Sequence, residues 1–432
     1  MQRLSIDQLG PIKHCELEIN NFMVFTGAQA SGKSTVVKSI FFFANIRNLL
    51  LQLLRRRYLQ SESFRNRILE MSLKNRLIRE VRSNFLQVFG STWCMYNTMR
   101  LEYHYKEETY IKLFLKADPT APNYIWLEFS DNFSDFLETL EQRLFKKEDN
   151  PNDIFFLLKE MVEDFFEDSS EVIYIPAGRS MITLLSTQLN YIYSGMDDMQ
   201  KRSLDYCTQN YLERILQLKS NFAAGSEQMV ENLLVTTDEK MDGKLLKEAV
   251  RLMKMILQGE YRNVDGEERL QVSGNRYVKI NFASSGQQEA VWILNVLFYY
   301  LLNKRNSYFI IEEPESHLFP NAQKLMMEFI ALAQNKGKNK IFITTHSPYI
   351  LGTINNLLYA DKIAGKVPER ELENIVPKSK RIAFVDLSAF FIQSGYAKTC
   401  VDREFKAISN EVIDGASDDI NRDYEEMVCL KK

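Results

Sequence analysis

Phe22-Met23-Val24-Phe25-Thr26-Gly27-Ala28-Gln29-Ala30-Ser31-Gly32-Lys33-Ser34-Thr35 joins a run of buried-strand composition to a glycine-bounded loop and the start of a helix. Residues 27 to 34 fit G-x-x-x-x-G-K-[ST], in the strand-before, helix-after context that gives the pattern its meaning. The glycines let backbone N–H groups turn toward phosphates, Lys33 reaches the β and γ oxygens, and Ser34 takes a Mg2+ coordination position. Working outward, Leu4 to Leu9 and Ile12 to Ile19 read as a hairpin turning at Gly10-Pro11, and a helix runs from Lys33 to about Phe43.

Further along, Tyr308 to Ile311 reads as a strand, Asn321 to Gln334 as a helix and Lys340 to Thr344 as the next strand. The first of these strands ends in Glu312-Glu313-Pro314-Glu315. One acid at such an edge can hold Mg2+, a role assigned to Glu312, and the next can deprotonate an attacking water, a role assigned to Glu313. His346, in Thr344-Thr345-His346-Ser347-Pro348, stands one strand beyond and can donate to a γ-phosphate or to that water. Ser284-Ser285-Gly286-Gln287 opens the helix that runs to Leu302. Its hydroxyls and helix N-terminus suit an anion, although the same residues make a good N-cap and turn.

A chain of 432 residues with 45% apolar and 26% charged residues has the profile of a globular protein of two or three domains, or of one domain with insertions. The net charge of -3 does not advertise nucleic-acid binding. Its five cysteines form no ligand pair, which points to a reduced, cytoplasmic setting. The start lacks a secretory pattern. The apolar stretches Ile40 to Ala44 and Val291 to Leu302 are too short or interrupted for a bilayer span, so no membrane association is expected.

The ordered motifs resemble the ABC-type ATPase heads of the SMC, RecF and OLD group, most closely the OLD-like AAA-type ATPases of bacterial defence operons. GAQASGKS stands for Walker A, SSGQQ for the signature, IIEEPESHLFP for Walker B with the D-loop, and TTHSP for the H-loop. Tyr174-Ile175-Pro176-Ala177-Gly178-Arg179 resembles the Y-I-P-A-x-R segment of these heads. The resemblance covers roughly residues 1 to 45 and 172 to 360. It departs at Glu312, which stands where Asp is usual, and in lacking a clear Q-loop.

The resemblance implies an α/β fold, a P-loop ATPase head with a mixed sheet core and largely helical insertions. The head would span residues 1–360, interrupted at 46–171 and 181–275, with residues 361–432 as a C-terminal cap. It implies ATP and Mg2+ as ligands, held by residues 27 to 35, Ser34 and Glu312. It also implies a head-to-head homodimer in which Ser284, Ser285, Gly286 and Gln287 act in trans and Glu315 and His317 lie at the seam. Gln87, at a connection between helix and strand, is the Q-loop candidate for metal and water, or simply a polar surface residue. Arg179 braces the catalytic region, touches nucleotide or forms an ordinary ion pair.

Arg55, Arg56, Arg57, Arg65, Lys74, Arg76, Arg79 and Arg82 offer a contact for nucleic acid or a partner if they form one stripe, and otherwise a solvated helix face. Acids in Val385 to Glu426 lack a Toprim pattern, so no nuclease activity is expected of this chain. That stretch reads as a tail packed on the head, with Asp414 or Ser417 capping a last helix. A switch ATPase that controls a separate effector is the leading reading. The alternatives are a RecF-like DNA-repair clamp and, least favoured, a transporter subunit.

Overall fold

The computed structural model describes residues 2–59, 71–116, 123–144, 151–183, 195, 205–236, 243–274, 276–336, 339–409 and 415–430. One eleven-stranded sheet organises them, in the order β6-β5-β4-β1-β2-β14-β13-β3-β12-β11-β7. Its parallel part contains β3 (Phe22–Thr26), β7 (Glu171–Ile175), β11 (Ser307–Glu312), β12 (Lys340–Thr345) and β13 (Leu387–Gln393). These central strands are near-continuous apolar runs because helices cover both faces. Period-2 alternation sends Phe22 and Val24 into one core and Met23 and Phe25 into the other.

On the second face lies α1 (Lys33–Ala44), which buries Val36, Val37, Ile40 and Phe41. The chain turns at Asn45 into α2 (Ile46–Leu59), and α3 (Leu73–Phe89) packs beside both. By length and composition alone the run Lys33–Arg56 passes for a membrane span. Here it is two helices whose apolar residues form core.

The expected hairpin is present as β1 (Arg3–Leu9) and β2 (Ile12–Glu18). The described part of residues 46–171 continues the sheet of the head. Its strands β4 (Arg100–Lys106), β5 (Thr109–Leu115) and β6 (Ile125–Phe129) extend the same sheet, with β4 paired to β1. Alternating burial in β4 and β5 marks a sheet with one packed face, covered by α4 (Asp131–Leu144) and α5 (Pro151–Phe166).

The opposite face carries α6 (Tyr206–Leu218), α7 (Ser226–Thr236), α8 (Gly243–Leu257) and α9 (Ser285–Leu302). A small sheet of β8 (Glu260–Val264), β9 (Glu267–Ser273) and β10 (Arg276–Lys279) precedes α9, so the 181–275 stretch is not helical throughout. Next come α10 (Pro320–Asn335), α11 (Pro348–Ile363) and α12 (Glu369–Ile375).

Part of the expected C-terminal cap, β13 and β14 (Tyr396–Thr399), lies instead in the middle of the sheet. β13 pairs with β3 along Leu387 to Phe391, and β14 links it to β2. Scattered acids made the stretch read as a tail, whereas Leu387, Ala389 and Ile392 are fully inside. A last helix, α13 (Gly415–Cys429), is present, but Asp414 lies outside the described residues, and Ser417 falls within the helix and not at its start.

Candidate functional site

Parallel register brings four loops to one edge. Thr26 stands beside Thr345, Glu312 beside Thr344 and Ile175 beside Ile311. The chain leaving β3, β12, β11 and β7 therefore emerges at the carboxyl ends of adjacent strands, where open α/β sheets bind ligands.

Gly27 has φ 140°, and a Cβ there would run into the Ile392 carbonyl oxygen. At Gly32, φ is 109° and a Cβ would come within 2.5 Å of the Ile12 side chain. Both glycines are thus required by close approach as well as by conformation. Gly32 provides no side-chain cap to α1, and the first turn carries no acid. The leading amides and the positive end of the helix dipole are left for an anion. Ala28, Gln29, Ala30 and Ser34 are exposed, Ser31 and Thr35 half-buried.

Lys33 is buried and donates to the Gly27 and Ala28 carbonyls at 3.0 and 2.9 Å. Burial lowers its pKa, and Glu313, Glu315 and Glu312 pull it back up. Three carboxylates therefore act electrostatically on the amine. Glu312 is buried; its Oε2 accepts from the Ala177 amide at 3.2 Å, and its Oε1 has no hydrogen-bond partner among the described residues. An orphaned buried carboxylate oxygen near the start of α1 fits a hard cation, with the Ser34 hydroxyl as a second oxygen ligand.

Glu313 sits in left-handed backbone, φ 43°, and its amide donates to the Thr344 carbonyl at 2.9 Å. This turn carries its carboxylate to 3.4 Å from His346 Nε2, and Ser316 Oγ donates to it at 3.3 Å. Partial desolvation is the first cause lowering the His346 pKa, Lys33 adds to it, and Glu313 and the Gly27 backbone oppose it. The folded site favours neutral imidazole. The unfolded chain takes its proton at the ordinary value of about 6.5, so this group's contribution to stability shrinks as pH falls from there through the lower folded value. Between pH 7.5 and 5.5, the urea midpoint of the His346→Gln variant is expected to fall less than that of the parent. An equal fall would show that His346 does not contribute to the acid sensitivity.

Glu315, expected at the dimer seam, is turned into its own chain. It is buried, accepts from Thr345 Oγ1 at 2.8 Å and the His346 amide at 2.7 Å, and burial raises its pKa. Its work is to hold the histidine turn within its own chain. His317 remains exposed.

Ser284 is the N-cap of α9 in a capping box with Gln287, whose side chain also reaches the Leu257 carbonyl at 2.7 Å. Gly286 packs so closely that a Cβ would meet the His317 carbonyl oxygen at 2.6 Å. Ser284 and Ser285 are exposed, and among the described residues no hydrogen bond joins them to residues 27–35 of the same chain.

Gln87 is not brought to the site. It belongs to the last turn of α3, not to a connection, and its neighbours Phe85 and Phe89 pack on Phe42. Phe42 lies nine residues beyond Lys33, about 13 Å along α1. The structure instead places the segment after β7 beside the Glu312 strand end.

Two of the described basic residues are engaged within the chain. Lys74 donates to Ser134 at 2.9 Å, while Arg82 donates to the Ile125 carbonyl at 2.7 Å and covers the Tyr124 ring. Arg55, Arg56 and Arg79 are exposed and Arg76 is half-buried; Arg57 falls in the last turn of α2, and Arg65 lies outside the described residues.

Sequence reasoning missed Glu289, buried on α9, whose carboxylate accepts from the Arg179 and Ser180 amides at 3.1 and 2.9 Å. A signal existed: it is the one charged residue in Ser285–Leu302.

Among solved structures, an SMC head bound to the C-terminal winged-helix domain of ScpA is 11% identical, covering 92% of this chain and 95% of that chain, with TM-score 0.40. The SMC head domain from Thermotoga maritima is 11% identical over 92% and 97%, TM-score 0.36. An ATP-binding cassette solved as a dimer in a post-hydrolysis state with ADP and Pi is 11% identical over 92% and 97%, TM-score 0.30. No curated protein matches. A family described as AAA ATPase domain matches residues 1–351. With a phosphate-type loop, an acidic strand end and a histidine converging inside that span, the chain belongs to the AAA ATPase domain family.

Proposed function

We propose that this chain hydrolyses ATP as an ABC-type homodimer. The observation that carries the reading is the contact of Glu313 with His346 at the edge where Lys33 and the uncapped start of α1 emerge. Residues 27 to 35 cradle the phosphates, Lys33 reaches the terminal ones, and Glu313 takes the proton of the attacking water. Neutral His346 donates from one ring nitrogen and orients that water or the γ-phosphate. Mg2+, held by Ser34 and Glu312, supplies charge neutralisation at the phosphates when bound.

Ser284 and Ser285, exposed at the N-terminus of α9, complete the site of a second copy. Mixing Lys33→Ala with Ser284→Arg tests this. Each variant alone is expected to be inactive, whereas a mixture holds heterodimers with one intact composite site. Turnover should return to about a quarter of the parent value if half the dimers are mixed. No recovery, with mixed dimers demonstrated by mass, would count against action in trans.

The wider role we infer is a cytoplasmic switch governing a separate effector in bacterial anti-phage defence, as the resemblance to OLD-like ATPases implies. A RecF-like DNA clamp loses support because Lys74 and Arg82 are engaged within the chain. If DNA binding by the parent showed a steep salt slope that Arg55→Ala with Arg56→Ala reduced by about two phosphate contacts, the clamp reading would regain its place.

A further inference from the structure

Arg179 is fully buried, yet most of its donors go to main-chain oxygens and not to its counter-charge. Nε donates to the Glu289 carbonyl at 3.1 Å, and Nη1 to the Pro176 and Glu312 carbonyls, each at 2.6 Å. Nη2 donates to the Glu313 carbonyl at 2.9 Å. The compensating charge is the Glu289 carboxylate, 3.2 Å from Nε and itself shielded from solvent. That carboxylate also accepts from the amides of Arg179 and Ser180, and Thr183 Oγ1 donates to the Gln288 carbonyl at 2.9 Å.

Three elements are joined at this point. One is the turn after β7, which contains Arg179. Another is α9, where Glu289 lies five residues beyond the exposed Ser284. The third is the backbone on both sides of Glu313. Glu313 occupies left-handed backbone that a β-carbon-bearing residue adopts only when its surroundings impose it. The guanidinium grips the carbonyls immediately before and after that torsion. A planar fork is suited to this, since its donors are fixed relative to one another.

We propose that the Arg179–Glu289 pair is a positioning device that sets the Glu313 turn and ties it to the N-terminus of α9, so that displacement of α9 is felt at the catalytic glutamate. The proposal rests on the reading of Glu313 as general base. Arg179 touches no reacting atom in it and acts through the backbone.

The test uses Glu289→Gln in the full chain, because the amide keeps the shape and one oxygen acceptor while removing the charge. Three measurements are made: backbone hydrogen exchange by mass spectrometry, affinity for a fluorescent ATP analogue, and ATP turnover. Exchange should rise over residues 312 to 316 and stay at parent level over 22 to 26 and 340 to 345. Nucleotide affinity should stay within about twofold, and kcat should fall about tenfold or more, a loss of pre-organised transition-state contacts without loss of uniform binding. Glu289→Asp, which restores the charge on a shorter arm, should recover part of kcat.

Unchanged exchange over 312 to 316 would overturn the proposal. So would a rise spread evenly over the whole sheet, which is what mere loss of packing produces. If the parent hydrolysed no ATP, the reading of Glu313 as base would fall, while the exchange pattern would still decide whether the pair sets the turn.

Discussion

Glu313→Gln is expected to lower ATP turnover by about 100- to 10,000-fold, the contribution of a positioned general base, while nucleotide binding persists. That range corresponds to about 3–5 kcal/mol of barrier. The substitution is nearly isosteric, and its oxygen can still accept from Ser316 Oγ. What disappears is the capacity to take a proton and the charge that faces His346 at 3.4 Å. Binding is predicted to survive because Lys33, the leading amides of α1 and Glu312 are untouched. One fewer negative charge near Lys33 also reduces repulsion of the incoming phosphates. ATP should then hold the proposed dimer closed, visible as a doubled mass that requires nucleotide. Phosphate release within tenfold of the parent would remove Glu313 from the base role, and the exposed geometry of His346 would become the next place to look.

The parts of the site that could be read from sequence are those whose chemistry is local. Gly27, Gly32 and Lys33 lie within seven residues, and a strand, a turn and a helix start are short-range patterns. The Glu312–Glu313 strand end and His346 were legible for the same reason, each closing an apolar run. Long-range contacts hid the rest. Arg179 and Glu289 are 110 positions apart, and neither shows its partner in its own neighbourhood. Glu315 looked available for a second subunit because nothing near it in sequence shows that it turns inward to Thr345 and His346. Gln87 was chosen for its residue type, but helical packing of Phe85 and Phe89 on Phe42 decides where it sits. In the sheet, the hairpin and the strands β3, β11 and β12 follow from pattern. That β4 should pair with β1, and β13 with β3, depends on which of many similar edges meet, and a pattern of period two does not specify that.

Ending the chain at Asp386 is expected to abolish cooperative folding, whereas ending it at Ser409 should leave the head folded. The shorter chain loses β13 and β14, the two strands standing between β2 and β3, so the antiparallel and parallel parts of the sheet lose their hydrogen-bonded junction. It also loses Leu387 and Ile392 from the core, about 1.5–3 kcal/mol each, and the stacking of Phe390 on Phe25 at 5.8 Å. Backbone bonds along Leu387 to Phe391 add about 1 kcal/mol apiece. Together these losses approach the roughly 5–15 kcal/mol that holds a typical domain together. The longer chain lacks only the segment carrying α13, whose described side chains from 421 to 430 are all exposed. Thermal melts with and without ATP separate the cases. A sharp transition with nucleotide stabilisation in the chain ending at Asp386 would show that β13 is dispensable. Gly27→Ala gives a finer probe, because its new methyl would strike the Ile392 carbonyl oxygen from φ 140°. The loop or β13 must then shift, so nucleotide affinity should fall even where the protein remains folded. The phosphate loop is thus predicted to depend on a strand whose Ile392 lies 365 residues beyond Gly27, and a local disturbance of that contact should be felt first as loss of ATP binding.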